Sequence, residues 1–326
     1  MLQQVTDEVR IADRHQDLRR FCWLLILAAI VPLILSEVTV RATLTRLSKV
    51  ENRIDTERRA AVKISRGAGP EKTVLVVGNS LLLEGVNFPV LRQGMAPQFA
   101  TSRYVIEATS YLDWYYGLRT LYNEGSRPDI VVVTLDLTDM VRNAVRGEYF
   151  AYYLMMPRDA LNVSRDAALS ATQTFSLLLG RFSAFYGTRS ETRKFVLAKL
   201  VPGVRDLVPY VRPVADTRPI PRNVAVDVAG KRLAELDALV RRHGGHLIFV
   251  VPATTDPLGP GYLRVAGHRV GVPVLVPMES DSLSSADFRD GYHLNPPSAD
   301  RFTAALAPAL HQEAAAVSTQ IGLARR

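Results

Sequence analysis

The stretch "VLVVGNSLLLEGVNF", residues Val74–Phe88, decides the fold class of this chain. Its apolar run stops at Gly78, Asn79 and Ser80 and then resumes as three leucines. A short, continuous apolar run is typical of a strand buried on both faces of a parallel sheet, and a glycine followed by small polar residues is typical of a turn. We therefore predict a strand, a polar turn at its carboxyl end and a helix after the turn.

The same alternation recurs along the rest of the chain. Five apolar runs are predicted as strands: Thr73–Val77, Tyr104–Ala108, Ile130–Leu135, Leu247–Val251 and Val272–Val276. Helical periodicity falls between and after them, at Tyr111–Glu124, Val226–His243 and Pro297–Gln312. Strands that alternate with helices predict a doubly wound α/β fold, here with a parallel sheet of five strands.

One connection is far longer than the others and predicts an insertion at about 140–225. It contains "EYFAYYLMM" at 148–156, a basic amphipathic stretch at 181–200 and a proline-rich passage at 201–222. A connection of this length favours a helical lid or a docking surface. The aromatic and methionine residues are also typical of the insertion's own core.

Residues 21–36, "FCWLLILAAIVPLILS", form an uncharged apolar segment. Apolar residues beyond Glu37 extend it to roughly 20 residues, the length that crosses a bilayer. Because residues 1–20 are rich in arginine, the positive-inside rule predicts a cytoplasmic N-terminus and an anchor at 21–40, with all later residues outside. The following "LSEVTVRA" lacks the small residues of a cleavage site, which favours an uncleaved anchor over a signal peptide.

The segment between the anchor and the first strand has a different composition. Residues 41–70 are charged and end in "SRGAGP", which predicts a partly helical stalk with a flexible joint. The α/β domain is then expected at 71–326.

Composition narrows the class of partner. The net charge of +8 suits a nucleic acid, an anionic membrane surface or an acidic polymer. The sequence has no zinc-finger spacing, no RNA-binding aromatic signature and no long Lys/Arg run, so no nucleic-acid partner is predicted. The single cysteine, Cys22, excludes an intramolecular disulfide and a cysteine-cluster metal site.

The polar turn at Ser80 lies where α/β proteins place their functional sites. Ser80 follows a predicted parallel strand and opens a helix, whose free N–H groups and dipole favour developing negative charge. A serine hydroxyl needs a base to take its proton before it can act as a nucleophile. Ser80 alone therefore also fits an ordinary tight connection between a strand and a helix.

A second segment supplies the missing base. "DFRDGYHLNPPSADRFTAALAPAL" follows the last predicted strand and places Asp290 three residues before His293. Such a loop can set the carboxylate against one imidazole nitrogen and leave the other facing a serine on a neighbouring strand end. Ser80, His293 and Asp290 are therefore the predicted catalytic residues.

The other histidines lack such a setting. His243 and His246 have loose metal-like spacing, but no third ligand is evident. No metal site and no cofactor are predicted.

The two segments together resemble the SGNH/GDSL hydrolase superfamily, over roughly Thr73–Leu135 and His246–Leu310. The resemblance is to a Gly-Asp-Ser turn after the first strand and an Asp-x-x-His on the last loop. It implies a five-stranded, flavodoxin-like sheet with Ser80 as nucleophile. It also implies that the backbone N–H of Ser80, with Asn79 beside it, holds the oxyanion.

Two positions differ from the family pattern, which has a glycine after the second strand and an asparagine after the third. The corresponding segments here are "EATSYLDW" and "VTLDLTDM", at 107–114 and 133–140. Ser110 or Thr109 can replace the backbone role of the glycine. Asp136 or Asp139 would repel an oxyanion unless protonated or turned away, which points to poor free hydrolysis.

The Gly-Asn-Ser turn, the anchor and the incomplete oxyanion motif are similar to one branch of the superfamily. That branch consists of anchored proteins that work beside a membrane-bound O-acyltransferase in decorating cell-surface polymers. The resemblance implies an acyltransferase or esterase of the bacterial inner membrane, with its domain on the periplasmic or extracellular side. Its implied partners are an exported or envelope polysaccharide and an integral-membrane O-acyltransferase.

Two alternatives stay open on the sequence. One is a plain lipase or esterase with the aromatic insertion as a lid. The other is a catalytically inactive subunit that binds a polymer or a membrane-bound acyltransferase, which the missing oxyanion groups favour.

Overall fold

The computed structural model describes residues 2–67, 71–201 and 221–324. Most of the proline-rich passage at 201–222 and the last three residues of "SRGAGP" lie outside the described residues, as does the end of the chain after Ala324.

A single parallel sheet organises the α/β part of the molecule. Its strands are β1 (Lys72–Gly78), β2 (Phe99–Val105), β3 (Ile130–Thr134), β4 (His246–Val250) and β5 (Val274–Leu275). The strand order β2-β1-β3-β4-β5, with every neighbouring pair parallel, is the doubly wound order of flavodoxin-like proteins. The predicted fold class is confirmed.

The helices before and between the first three strands are α1 (Leu2–Leu47), α2 (Lys49–Val62), α3 (Ser80–Gly85), α4 (Phe88–Met95) and α5 (Tyr111–Asn123). Those between β3 and β4 are α6 (Leu137–Val141), α7 (Gly147–Leu154), α8 (Ala160–Asp166), α9 (Ala171–Phe182), α10 (Ala184–Gly187), α11 (Arg189–Leu200) and α12 (Arg222–Arg242). The last two are α13 (Gly259–Val270) and α14 (Pro296–Ala324). The described part of the predicted insertion is helical, as expected.

Side chains on the two faces of the sheet belong to two separate apolar cores. Val74 and Val76 of β1 pack with α3, α4 and α14, whereas Leu75 and Val77 pack with α2, α5, α12 and α13. This division follows from the alternation of side chains along a strand. Tyr149, Phe150, Tyr153 and Met155 join the core that contains Leu75 and Val77, so this segment packs against the sheet domain as core and not as a lid.

Helix α1 contains one stretch, Arg19–Leu47, that is long and apolar enough to cross a membrane. Its apolar side chains are exposed; Leu27 and Leu33 expose 50% and 60% of their surface. This exposure argues against a core helix and is compatible with a membrane anchor or a signal sequence.

Helix α2 differs from the predicted stalk. Ile54 and Ala61 are fully buried in the core beside α5, and Glu57 accepts hydrogen bonds from the N–H of Val105 and from Arg103 Nε. The prediction of a stalk was wrong because only one side of this helix is apolar. The exposed charged residues on its other sides give the segment the composition of a linker. The helix therefore covers part of the sheet, and its Glu57 accepts a hydrogen bond from a backbone N–H of the edge strand β2.

The second strand also differs from its prediction. It begins at Phe99 and ends at Val105, whereas the apolar run predicted Tyr104–Ala108. β2 is an edge strand, so polar residues such as Ser102 and Arg103 interrupt its apolar pattern without disrupting its pairing.

Candidate active site

The turn between β1 and α3 sets the position of Ser80. At Gly78, an added Cβ would lie 2.6 Å from the carbonyl oxygen of Thr134, so only glycine allows this close approach of two strands. Asn79 is the N-cap of α3, and its Oδ1 accepts a hydrogen bond from the N–H of Leu81 at 3.0 Å. Ser80 is therefore the first residue of the helix and lies at the carboxyl end of β1.

The loop before α14 sets the positions of Asp290 and His293. Gly291 has a φ of 78°, a left-handed conformation that glycine adopts without strain. The turn directs the N–H groups of Tyr292 and His293 to Asp290 Oδ1, at 3.1 and 2.8 Å. The carboxylate and the imidazole are thus held by the same short turn.

Three side chains form a continuous hydrogen-bonded series at this edge of the sheet. Ser80 Oγ lies 2.9 Å from His293 Nε2, and His293 Nδ1 lies 2.9 Å from Asp290 Oδ2. His293 and Asp290 expose 16% and 19% of their side chains, so the series is shielded yet reachable from solvent. The structure therefore brings the three predicted catalytic residues together in the predicted order.

Burial by itself would raise the pKa of Asp290. The hydrogen bonds from the His293 side chain and from the N–H groups of His293 and Tyr292 outweigh burial and hold the pKa of this carboxyl well below its usual value. Asp290 is consequently ionised at neutral pH, which favours the tautomer with the proton on His293 Nδ1. Nε2 is then free to accept the proton of Ser80.

Asn79 contributes a buried side chain to the same region. Its Nδ2 donates to the carbonyl oxygen of Thr109 at 3.1 Å and to Asp139 Oδ2 at 2.6 Å. These two bonds join the start of α3 to the turns after β2 and β3, while the Oδ1 of Asn79 caps α3 itself. Asn79 positions Ser80 through its side chain, which does not itself point to an oxyanion.

Two aspartates from the turn after β3 lie beside Asn79. Burial, together with the charge of Asp136, raises the pKa of Asp139 to about 7. Burial also raises the pKa of Asp136, whose Oδ1 accepts from the N–H of Asp139 at 2.7 Å. Two buried carboxyls this close disfavour double ionisation, so one of them carries a proton near neutral pH.

Ser110 occupies a different role from the predicted one. Its N–H donates to Asp113 Oδ2 at 2.7 Å in a capping box at the start of α5, and its Oγ donates to the carbonyl oxygen of Ala144 at 2.7 Å. Both donors of Ser110 are thus engaged within the fold. Next to it, Ala108 has a φ of 54° in the same turn, a strained conformation for a non-glycine residue.

Tyr292 belongs to the site although the sequence pattern did not single it out. The hydroxyl of Tyr292 donates to Asp136 Oδ2 at 3.3 Å, and its ring lies edge-on to His293 with ring centroids 5.0 Å apart. Tyr292 lies between Asp290 and His293 in the sequence, and this position is the feature from which its place in the site could have been predicted.

His243 has a structural role. Its ring stacks on Tyr122 with centroids 4.1 Å apart, and its Nδ1 lies 3.0 Å from the carbonyl oxygen of Leu239. Among the described residues no group of three histidine, cysteine, aspartate or glutamate side chains is arranged to hold a metal ion.

Fold and site together define a doubly wound α/β protein with a serine–histidine–aspartate series at the carboxyl edge of its sheet. Several solved structures are similar to it. TesA is 12% identical with a TM-score of 0.37, and the match covers 73% of this chain and 98% of TesA. A member of the lipolytic G-D-S-L family from Veillonella parvula is 9% identical with a TM-score of 0.33, covering 72% of this chain and 95% of that one.

The third is a catalytic mutant of Axe2, an acetylxylan esterase from Geobacillus stearothermophilus. It is 12% identical with a TM-score of 0.29, covering 75% of this chain and 94% of that one. At these values the similarity concerns the fold alone. No protein-family model matches the sequence, and no curated protein matches it significantly.

Proposed function

We propose that this chain is a membrane-anchored serine acyltransferase or esterase of the SGNH type. The observation that carries the proposal is the series from Ser80 Oγ to His293 Nε2 and from His293 Nδ1 to Asp290, each step 2.9 Å long. A hydroxyl, an imidazole and an ionised carboxylate at these distances form the arrangement that activates a serine for acyl transfer.

The reaction begins with proton transfer from Ser80 Oγ to His293 Nε2 as Oγ attacks the acyl carbonyl carbon. Asp290 keeps its negative charge and stabilises the imidazolium that forms. When the tetrahedral intermediate collapses, His293 returns the proton to the leaving oxygen, and the acyl group stays on Ser80 as an ester. Water or a sugar hydroxyl then attacks this ester, with His293 again as base.

The N-terminus of α3 supplies the electrostatic part of the site. The N–H of Ser80 is the first of the helix, and the first N–H groups of a helix have no intrahelical acceptor, so this group is the oxyanion donor we propose. Ser110 is engaged elsewhere, and an aspartate follows β3 where the family has an asparagine. Because one lost oxyanion donor costs roughly 100- to 1,000-fold in rate, we expect slow hydrolysis and a dependence on a specific acceptor.

The acceptor we propose is an exported or cell-envelope polysaccharide, with the domain on the outer side of the bacterial inner membrane. The apolar stretch of α1 and the arginines before it support this placement. The net charge of +8 suits an acidic polymer or a phospholipid surface. An integral-membrane O-acyltransferase would supply the acyl group across the bilayer.

A fluorophosphonate probe tests the nucleophile directly. We expect the full-length protein to be labelled at Ser80 and labelling to disappear in Ser80→Ala but not in Ser282→Ala, which changes an exposed serine. Acyl release from a chromogenic ester should rise when an acetyl-accepting glycan is added if transfer dominates, and should be unchanged if water is the acceptor.

A non-catalytic subunit is the second candidate function. The engagement of both Ser110 donors and the aspartate pair beside Asn79 favour it. An unlabelled Ser80, together with a Ser80→Ala variant that keeps full function in cells, would support this candidate and overturn the first.

A further inference from the structure

The anchor helix and the insertion meet at one carboxylate. Glu37 accepts hydrogen bonds from Ser183 Oγ at 2.7 Å and from the N–H groups of Ala184 and Phe185 at 2.9 and 3.0 Å. One turn later, Arg41 donates to the carbonyl oxygen of Phe182 at 2.8 Å. The insertion is therefore fixed to α1 at the level of residues 37–41.

This level is where the predicted membrane span ends. The uncharged run ends at Ser36, and the span predicted from the sequence ends at residue 40. Glu37 and Arg41 thus lie where a helix of this length leaves the acyl chains and enters the headgroups. Side chains that the insertion exposes next to Glu37 and Arg41 therefore lie at the level of the lipid headgroups as well.

The insertion exposes large apolar side chains there. Phe182 and Phe185, on either side of the serine that binds Glu37, expose 65% and 37% of their surface. Phe175 and Leu179 extend the exposed surface along α9, at spacings that place them on the same side as Phe182. Several exposed aromatic and aliphatic side chains in one patch mark an interaction surface.

An arginine-rich groove adjoins this patch. It is lined by Arg41, Asp55, Arg58, Tyr152, Tyr153, Arg181 and Phe182. Arg41 and Arg58 already pair with Glu37 and Glu124, whereas the buried Nε of Arg181 has no hydrogen-bond partner among the described residues. Arginine and tyrosine beside exposed phenylalanine form the composition that binds lipid headgroups above an acyl boundary.

We infer that this junction is a lipid-binding face of the domain. Phe182 and Phe185 enter the boundary between headgroups and acyl chains of the leaflet from which α1 emerges, and Arg181 binds lipid phosphate. The inference rests on the proposed membrane anchor. It adds that a second contact, formed by the insertion, holds the domain against the bilayer and fixes the height of the Ser80 site above it.

A bilayer is favoured over a protein partner because the patch is continuous with the anchor. The bonds of Glu37 hold the patch against the same helix that crosses the membrane, so both reach the bilayer together. If the natural occupant of the patch is a protein, the patch should stay exposed to water in a membrane that contains only lipid. If the occupant is lipid, the patch should enter the bilayer under the same conditions, and the experiment below distinguishes these two results.

Tryptophan quenching by lipids with brominated acyl chains tests the inference on the full-length chain. The native tryptophans are Trp23 and Trp114, so Trp23→Phe leaves only the fully buried Trp114 as background. In that variant, Phe182→Trp and Phe185→Trp are made separately, since both keep an aromatic side chain. The proteins are placed in nanodiscs of phosphatidylcholine and phosphatidylglycerol without any other protein.

Two further tryptophans calibrate the measurement. Leu27→Trp lies in the anchor, and Val90→Trp lies on α4, across the sheet from the insertion, where Val90 exposes 43% of its surface. We expect brominated lipids to quench the tryptophans at 27, 182 and 185 and to leave that at 90 at its background level. Thermal melts confirm that each variant is folded.

The outcomes separate the two levels of the proposal. Quenching at 27 without quenching at 182 and 185 overturns the lipid-binding face and leaves the anchor intact. No quenching at 27 overturns the anchor and the face together. Labelling of Ser80 by a fluorophosphonate is independent of either result.

Discussion

Asp290 is the residue whose chemistry is most sharply defined by its contacts. The hydrogen bonds from His293 and from two N–H groups keep it ionised, so an amide in its place loses the charge and favours the wrong imidazole tautomer. We expect Asp290→Asn to reduce acyl transfer by about 10,000-fold and, because these hydrogen bonds stabilise the ionised carboxylate in the folded state, also to lower stability at neutral pH. Initial rates of ester cleavage, together with a thermal melt, measure both.

Asp287 offers a matched control for this substitution. It is also hydrogen-bonded within the last loop, and bonds from Ser284 and Ser298 lower its pKa to about 2, but it caps a turn and does not touch His293. Asp287→Asn should therefore lower stability and keep the rate. Equal losses of rate in both variants would assign Asp290 a purely structural role.

Asp139 should make the stability of the protein depend on pH. Burial, together with the charge of Asp136, raises its pKa to about 7, against about 3.9 in an unfolded chain. Between these values the folded state holds a proton that the unfolded state has lost, so the free energy of unfolding decreases as pH rises through this window. The stabilising contribution is complete below about pH 4 and is lost near pH 7.

Asp139→Asn removes that titration and keeps an acceptor for Asn79. Between pH 5 and pH 8 the free energy of unfolding should fall in the native chain and stay level in the variant. The difference between the two proteins should therefore grow in favour of the variant, by roughly 1.4 kcal/mol for each pH unit over which Asp139 is protonated only in the folded state. Urea unfolding at both pH values measures the difference, with the exposed Asp281→Asn as control. An unchanged pH slope in the variant would show that another group carries it.

At this scale, the sequence predicts residues whose chemistry is local and misses those whose role depends on neighbouring loops. Ser80, Asp290 and His293 stand in short segments whose residue types already indicate their function. The link from Asn79 to Asp139 joins turns after two different strands, and the hydrogen bond from Ser110 Oγ to the carbonyl oxygen of Ala144 joins the turn after β2 to the loop before α7. Neither is visible until the sheet brings those turns together.

Among the elements, α2 is the one whose structure departs most from its sequence. Its sequence "KVENRIDTERRAAV" is dominated by charged residues, yet these make specific pairs with the domain, such as Arg53 Nη2 with Glu107 at 2.7 Å. A helix that contacts the core through so few apolar positions has the composition of a linker. The predicted bounds of β2 were wrong for a related reason, because an edge strand tolerates polar residues and so lacks a continuous apolar run.

The buried side of α2 can be tested with one pair of substitutions on the same helix. Ile54 is fully buried, whereas Val50 exposes 43% of its surface. We expect Ile54→Ala to lower the free energy of unfolding by about 2–4 kcal/mol because it leaves a cavity, and Val50→Ala to change it by less than about 1 kcal/mol. Urea denaturation measures both; equal small effects would mean that α2 is the predicted stalk.

At the scale of the whole molecule, the question is where the folded domain begins. The sequence predicts its start at residue 71, but α2 supplies parts that later residues need. Glu51 accepts from the hydroxyl of Tyr149 at 2.7 Å and from that of Tyr153, and both tyrosines are buried. Without α2 these hydroxyls lose their acceptor, and the apolar surface around Ile54 opens to water.

Two truncations locate this boundary. A fragment of residues 48–326 keeps α2 together with its N-cap Ser48, and we expect it to melt cooperatively and to retain fluorophosphonate labelling of Ser80. A fragment of residues 71–326 loses several kcal/mol out of the roughly 5–15 kcal/mol that stabilise a typical domain, so it should melt far lower or aggregate. Calorimetry on both fragments in the same buffer measures the difference. Equal melting temperatures of the two fragments would mean that the folded domain begins at residue 71 and that α2 is only a link between the anchor and the domain.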